Sequence, residues 1–125
     1  YLKKIGSVSI KRNKVSKDNL DFFGNISEKL MNTERPLIIF PQGTRVLPDE
    51  RPSFKKGVSR IYDELKITCQ PVAINSGYVW PKRGIKNNKR TITISILKPI
   101  HPGMSKDEFL KNLENCIYSE LDLLC

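Results

Sequence analysis

Four apolar residues, Leu37-Ile-Ile-Phe40, stand between Pro36 and Pro41, and they constrain the fold more than any other stretch. The run is too short for a helix and lacks polar alternation, so it reads as a strand buried on both faces. Such a strand needs covering layers, which amphipathic helices elsewhere in the chain supply. The segment that follows, Pro41 to Ser53, holds Gly43, Pro48 and Pro52 and reads as a loop.

The remaining elements arrange themselves around this strand. Ile5-Gly-Ser-Val-Ser-Ile10 alternates apolar with small or polar residues and then meets Lys11-Arg12-Asn13, as a half-buried strand followed by a turn would. Leu20, Phe23, Ile26 or Ser27, and Leu30 recur at helical spacing behind a Ser16-Lys-Asp cap, with Gly24 a mild weakness inside. Val58, Ile61 or Tyr62, and Leu65 mark a second helix after Phe54. Ile67 to Ile74 reads as a strand in which Pro71, lacking an N–H, belongs near an edge, a bulge or the strand start. A Gly-, Pro- and Lys-rich loop from Asn75 to Arg90 leads to the alternating strand Thr91 to Leu97. Ser105-Lys-Asp-Glu108 is a capping box that opens a last helix with Phe109, Leu113, Cys116 or Ile117, Leu121 and Leu124 on one face.

The order strand, helix, strand, helix, strand, strand, helix predicts a single α/β domain over residues 1–125, with a mixed, largely parallel sheet flanked by helices. At 125 residues about two-thirds of the unfolded surface can be buried. A core therefore needs no disulfide. Apolar residues at 38% and charged residues at 28% exclude a disordered or collagen-like chain. Cys69, Cys116 and Cys125 are odd in number and lack metal-ligand spacing, so they read as reduced thiols of a cytosolic compartment. No apolar run approaches the ~20 residues of a membrane span. The chain opens on Tyr1 and enters a strand-like stretch almost at once, so an upstream segment is expected to be missing. Nothing in the sequence signals a metal or an organic cofactor.

The formal charge is +9, from 22 Lys and Arg against 13 Asp and Glu, which points to an anionic partner: nucleic acid, an acidic membrane surface or a phosphorylated small molecule. The loop after the first apolar strand is placed to serve the last of these, because ligands of α/β sheets bind beyond strand carboxyl ends. In Phe40-Pro-Gln-Gly-Thr-Arg45, glycine permits close backbone approach, threonine offers a hydroxyl, and arginine offers a planar fork matched to phosphate. Phe54-Lys-Lys-Gly57 adds Lys55 and Lys56 at the start of the next helix, whose free N–H groups also favour an anion. On local chemistry alone, a turn at Gly43 with a solvated Arg45 is an equally good reading.

Neighbouring blocks shift that balance. Phe40-Pro-Gln-Gly-Thr-Arg45 resembles the Phe-Pro-Glu-Gly-Thr-Arg block of the glycerolipid acyltransferases, specifically the bacterial PlsC-type 1-acylglycerol-3-phosphate acyltransferases. Phe54-Lys-Lys-Gly57 is similar to the lysine-rich segment that follows it. Gly6 to Arg12 resembles the family block ending in a phosphate-contacting arginine. Gln70-Pro-Val-Ala-Ile74 resembles its proline-containing apolar block, and Lys98-Pro-Ile100 with Met104 to Phe109 resembles its closing strand and helix. The likeness runs over nearly the whole chain in the family's order, and it implies a glycerol-3-phosphate acyltransferase-like fold.

The resemblance implies transfer of a fatty acyl group from acyl carrier protein or acyl-CoA to lysophosphatidic acid, giving phosphatidic acid in phospholipid synthesis. It implies that Arg12 and Arg45 hold the acceptor phosphate and that Phe40, Pro41, Gln42, Gly43 and Thr44 form its loop. Lys55 and Lys56 would add charge, and Pro71 would belong to the apolar wall near the acyl chain. It implies a location on the cytoplasmic side of the membrane, peripheral or anchored through a missing amino-terminal segment, with an anionic membrane surface as partner.

Two departures stand out. Gln42 replaces the family's glutamate, keeping shape and hydrogen bonding but losing charge and basicity; the mild reading is that this residue orients its neighbours. The family's Asn-His-x-x-x-x-Asp block, in which His is the general base and Asp supports it, is absent, so no catalytic residue is assigned and the 125 residues alone are expected to be inactive. The only histidine, His101, is followed by Asp107 one residue too late and lies after the last strand. A surface or capping role suits it better. The alternatives are a non-catalytic phospholipid-binding or anionic-membrane-binding remnant and, ranked lower, a nucleic-acid binder using Trp80 among Lys82, Arg83, Lys86, Lys89 and Arg90.

Overall fold

The computed structural model describes residues 18–87 and 89–124. The Ile5–Ile10 strand, Arg12 and the Ser16 cap lie outside these residues. The chain divides into two compact units, Tyr1–Ile38 and Ile39–Cys125.

In the first unit, helix α1 spans Asp18–Met31. Its amphipathic spacing is realised: Ile26 is buried and Phe23 and Leu30 are half-buried, whereas Asn25, Glu28 and Lys29 are exposed. The Phe22 and Phe23 rings meet edge to face at 5.5 Å. Past the last turn, the Thr33 hydroxyl donates to the Lys29 carbonyl at 2.9 Å and Asn32 N–H donates to Glu28 O at 3.1 Å, satisfying carbonyls the helix leaves open.

The second unit is built from α2 (Gly57–Leu65), β1 (Val72–Ile74), β2 (Ile94–Ile96) and α3 (Lys106–Leu123). Helix α3 packs on both α2 and β1. Its start obeys the capping expectation, since Ser105 Oγ accepts from Glu108 N–H at 3.3 Å and Asp107 and Glu108 favour the positive helix end. Helix α2 stops at Lys66, a non-glycine residue in the left-handed region at φ 50°, whose N–H donates to Tyr62 O at 3.1 Å.

The core consists of Phe54, Val58, Tyr62, Ile100, Phe109 and Leu113. Tyr62 and Phe109 stack in parallel with centroids 3.8 Å apart, joining α2 to α3. The buried end of Tyr62 is satisfied: its hydroxyl donates to His101 O at 2.6 Å and accepts from Met104 N–H at 3.2 Å. Cys69 and Ile100 exchange two backbone hydrogen bonds, at 2.9 and 2.8 Å, which stitches the entry to β1 against the exit from β2.

Strands β1 and β2 pair antiparallel in the register Val72↔Ile96, Ala73↔Ser95, Ile74↔Ile94. The α/β class is retained, but the described residues contain a two-stranded antiparallel sheet in place of the expected largely parallel one. The reason is connectivity. Only the loop between Ile74 and Ile94 joins these strands, and a return of this kind lays them antiparallel, whereas parallel pairing needs a crossover. The Leu37–Phe40 strand is also not formed: Ile38 and Phe40 are 75% and 79% exposed, and the unit boundary falls between Ile38 and Ile39. Among the described residues the run has no ladder to join, and burial on two faces cannot be met without neighbouring strands.

Pro71 lies one residue before β1 and is fully buried, as a residue without a ladder N–H should be placed. Ala73, with no exposure, faces α3, and its small side chain permits close helix approach. Val72, Ile74, Ile94 and Ile96 occupy the other sheet face and are exposed. No helix among the described residues is long and apolar enough to cross a membrane.

Candidate phosphate-binding site

Residues Phe40 to Arg45 form a tight turn at the start of the second unit. Gly43 N–H donates to Phe40 O at 3.0 Å, and Gly43 sits at φ 72°, where a side chain is strained. A Cβ at Gly43 would lie 3.2 Å from Lys55 Cγ, so the Lys55 alkyl stem passes directly over the glycine. The backbone reinforces the approach, because Lys55 N–H donates to Pro41 O at 2.9 Å. Two segments separated by a proline-rich loop are thereby fastened together: the Pro-Gln-Gly turn and the Lys-Lys start of α2.

Helix α3 supports the turn from the other side. Gln42 Nε2 donates to the Tyr118 hydroxyl at 3.3 Å, and that hydroxyl donates to Pro52 O at 2.5 Å. Tyr118 packs its ring against Phe54 at 5.1 Å, and the Arg51 guanidinium lies 5.5 Å from its centroid. Arg51 is held in turn by Asp122 at 2.7 Å. Burial pushes the Tyr118 phenol above its ordinary pKa, with the Gln42 hydrogen bond opposing that shift, so the hydroxyl stays protonated at neutral pH. Glu114 accepts from Phe54 N–H and anchors the approach to α2.

The charge-bearing side chains point outward. Thr44, Arg45, Lys55 and Lys56 are exposed, and Arg45 forms no ion pair among the described residues. Helix α2 has no side-chain cap and no acid in its first turn, leaving a positive helix end beside Lys55 and Lys56. Gly43 N–H is already committed to Phe40 O, so an anion here would be met by the side chains of Thr44, Arg45 and the lysines, with Gly43 shaping the turn.

The sequence-predicted residues thus divide. The structure brings Phe40, Pro41, Gln42 and Gly43 together with Lys55, and places Thr44, Arg45 and Lys56 on the chain segments that this contact joins. Arg12 lies outside the described residues. Pro71 is a core residue whose carbonyl accepts from Leu97 N–H at 3.1 Å, and no hydrogen bond or ring contact among the described residues links it to the turn. His101 is exposed, its Nδ1 lies 3.4 Å from Thr68 Oγ1, and Asp107 belongs to the first turn of α3. A groove of about 650 Å³ runs beside His101, lined by Lys98, Ile100, Met104, Asn112 and Cys116. It shares no residue with the turn, and the phosphate-matched chemistry belongs to the turn. Tyr118 had no local signal in the sequence: it lies 76 residues from Gln42, on the last helix but not among the residues that mark its apolar face.

Comparison with known proteins fits this geometry. The Acyltransferase family model matches residues 1–75, which include the whole turn and the Lys-Lys segment. The chain belongs to the acyltransferase family. It is similar to a 1-acyl-sn-glycerol-3-phosphate acyltransferase of Pseudomonas aeruginosa, with 31% identity over 65 residues, covering 52% of this chain and 25% of that protein. The matched stretch therefore spans about a quarter of the relative's length. No solved structure matches the chain.

Proposed function

We propose that this chain forms the acceptor-binding part of an acyltransferase that moves a fatty acyl group from acyl carrier protein or acyl-CoA to lysophosphatidic acid, yielding phosphatidic acid. The observation that carries this reading is the Lys55 stem lying over Gly43, which joins the family's Gly-Thr-Arg block to the basic start of α2. In this reading Arg45 is the principal phosphate cation, assisted by Lys55 and Lys56, while Gln42 and Tyr118 fix the turn. The lipid acceptor sets the work at a membrane surface, on its cytoplasmic side.

The chemistry needs a base to take the acceptor hydroxyl's proton as its oxygen adds to the thioester carbonyl and the C–S bond breaks, releasing the thiol. The only histidine of the 125 residues is His101, whose ring meets Thr68. Binding without turnover is the expected behaviour of this chain alone. The same observation favours a second reading, a phospholipid-binding module that catalyses nothing in any context.

The test is binding of short-chain lysophosphatidic acid and the matching monoacylglycerol to the purified chain. Lysophosphatidic acid should bind, the uncharged lipid should not, and Arg45→Ala should weaken binding about tenfold to a hundredfold, as loss of a charge-assisted hydrogen bond does. Equal binding of both lipids, or an unchanged constant in R45A, would overturn the assignment.

A further inference from the structure

From Leu65 to Lys106 the chain contains no acidic residue, and the loop between β1 and β2 carries five cations: Lys82, Arg83, Lys86, Lys89 and Arg90. This loop is a built projection. Its root is closed by Asn75, whose N–H donates to Thr93 O at 3.3 Å and whose Oδ1 accepts from Thr93 N–H at 2.7 Å. Gly77 packs against Pro48, and Tyr78 meets Asp49 at 3.4 Å, which fixes the base on the neighbouring turn. Higher up, Trp80 N–H donates to Ser76 O at 2.7 Å and Asn87 N–H donates to Val79 O at 2.8 Å, drawing in the neck. Beyond the neck, Gly84 reverses the chain at φ 100°.

The tip combines two properties. Trp80 is 60% exposed and Ile85 is 92% exposed, among cations that are exposed as well. Lys86 Nζ lies 3.7 Å from the Trp80 ring centroid, and the Arg90 guanidinium lies 5.2 Å from that of Tyr78. An indole and an isoleucine on a loop pinned at its base, among ammonium and guanidinium groups, match the boundary between acyl chains and anionic headgroups. A single-stranded nucleic acid fits less well. One face of Trp80 is covered by Lys86, leaving one for base stacking, and the more exposed of the two large apolar tip residues is aliphatic.

We propose that the Val79–Arg90 loop is a membrane-docking element, inserting Trp80 and Ile85 into the interface of an anionic bilayer while Lys82, Arg83, Lys86, Lys89 and Arg90 bind lipid phosphates. The proposal goes beyond the acyl-transfer reading and does not rest on it, since the loop shares no residue with the Gly-Thr-Arg turn. Trp80 is the only tryptophan, so its fluorescence reports on this loop alone.

The full chain is titrated with vesicles of phosphatidylcholine and with equimolar phosphatidylcholine and phosphatidylglycerol. Anionic vesicles should shift Trp80 emission to the blue, brominated acyl chains should quench it, added salt should reverse both, and neutral vesicles should do neither. Replacing Arg83, Lys86, Lys89 and Arg90 by glutamine should lower the partition constant several hundredfold, at roughly fivefold per charge. A control of equal net charge, with Lys29, Arg35, Lys98 and Lys111 replaced instead, should lose much less. Ile85→Asp tests insertion at a position too exposed to affect folding, and should abolish bromine quenching. Circular dichroism verifies that each variant is folded. Equal losses in the two charge variants, an absent blue shift, or displacement of vesicles by a random oligonucleotide that binds Trp80 more tightly would each overturn the proposal.

Discussion

Replacing Gly43 by alanine separates the two constraints that shape the candidate site. The first is conformational: at φ 72° an L-residue loses about 1–2 kcal/mol relative to glycine. The second is contact, because the new methyl group would lie 3.2 Å from Lys55 Cγ, closer than ordinary van der Waals distance. Lys55 is flexible and exposed, so it moves aside by a few tenths of an ångström and adds only a few tenths of a kcal/mol. G43A is therefore expected to destabilise by about 1–2 kcal/mol, lowering Tm by roughly 4–8 °C for each kcal/mol.

The two parts are distinguished by a double-mutant cycle followed by urea unfolding. Lys55→Ala alone should be nearly neutral. Combined with G43A it should recover the contact part and leave the conformational part. Gly43→Asn should cost less than G43A, since asparagine tolerates the left-handed region. A neutral G43A would mean that the turn is not left-handed in solution. A coupling between G43A and K55A well above about 0.5 kcal/mol would mean that the Lys55 stem cannot move aside.

Other substitutions probe the surroundings. Tyr118→Phe leaves Gln42 Nε2 and Pro52 O without their shared hydroxyl, and should cost about 1–2 kcal/mol in urea unfolding while weakening lysophosphatidic acid binding. Gly24→Ala should stabilise by about 0.5–1 kcal/mol, because Gly24 is inside α1 and a Cβ there meets nothing within 4 Å. Asp63 is held below the usual carboxylate pKa, chiefly by its hydrogen bond to Lys66 at 2.9 Å. A depressed folded-state pKa gives stability that is present above the unfolded value near ~3.9 and lost as pH falls through the folded one. Asp63→Asn should therefore lower Tm slightly at neutral pH, where the contribution is present, and flatten the acid limb so that the two Tm-against-pH curves converge below about pH 4.

The helices were legible in the sequence because each carries its own burial pattern. Phe23, Ile26 and Leu30 mark α1, Val58, Ile61 and Tyr62 mark α2, and Phe109 and Leu113 mark α3. The Ser105 cap is local chemistry and was also readable. The sheet was not, because strand direction is a property of pairs. The alternation of Thr91 to Leu97 marked a strand without saying which face is buried: Ile94 and Ile96 are exposed and Ser95 shares the face of Ala73 that meets α3. Small residues on that face let the helix approach, a tertiary reason that hydrophobicity alone does not encode. The apolar run Leu37–Phe40 misled for the same cause: its composition states a demand for burial that the described residues do not meet.

The site follows the same division. Gly43 and the basic start of α2 were visible as residue types at a spacing, but their closeness depends on the Pro41–Lys55 hydrogen bond, which no local pattern announces. Gln42 gains most from the structure. The Tyr118 hydroxyl spends its only proton on Pro52 O, so the side chain facing it from the turn has to donate. An amide donates and a carboxylate at neutral pH cannot. A glutamate at position 42 would face the oxygen lone pairs of a tyrosine whose proton is committed elsewhere, or would have to draw that proton from Pro52 and leave its carbonyl unpaired. The departure from the family's Phe-Pro-Glu-Gly-Thr-Arg block is thus matched within the fold by Tyr118. Residue 42 acts here as a positioning group for the turn, and in the proposed reading charge recognition falls to Arg45 and the lysines.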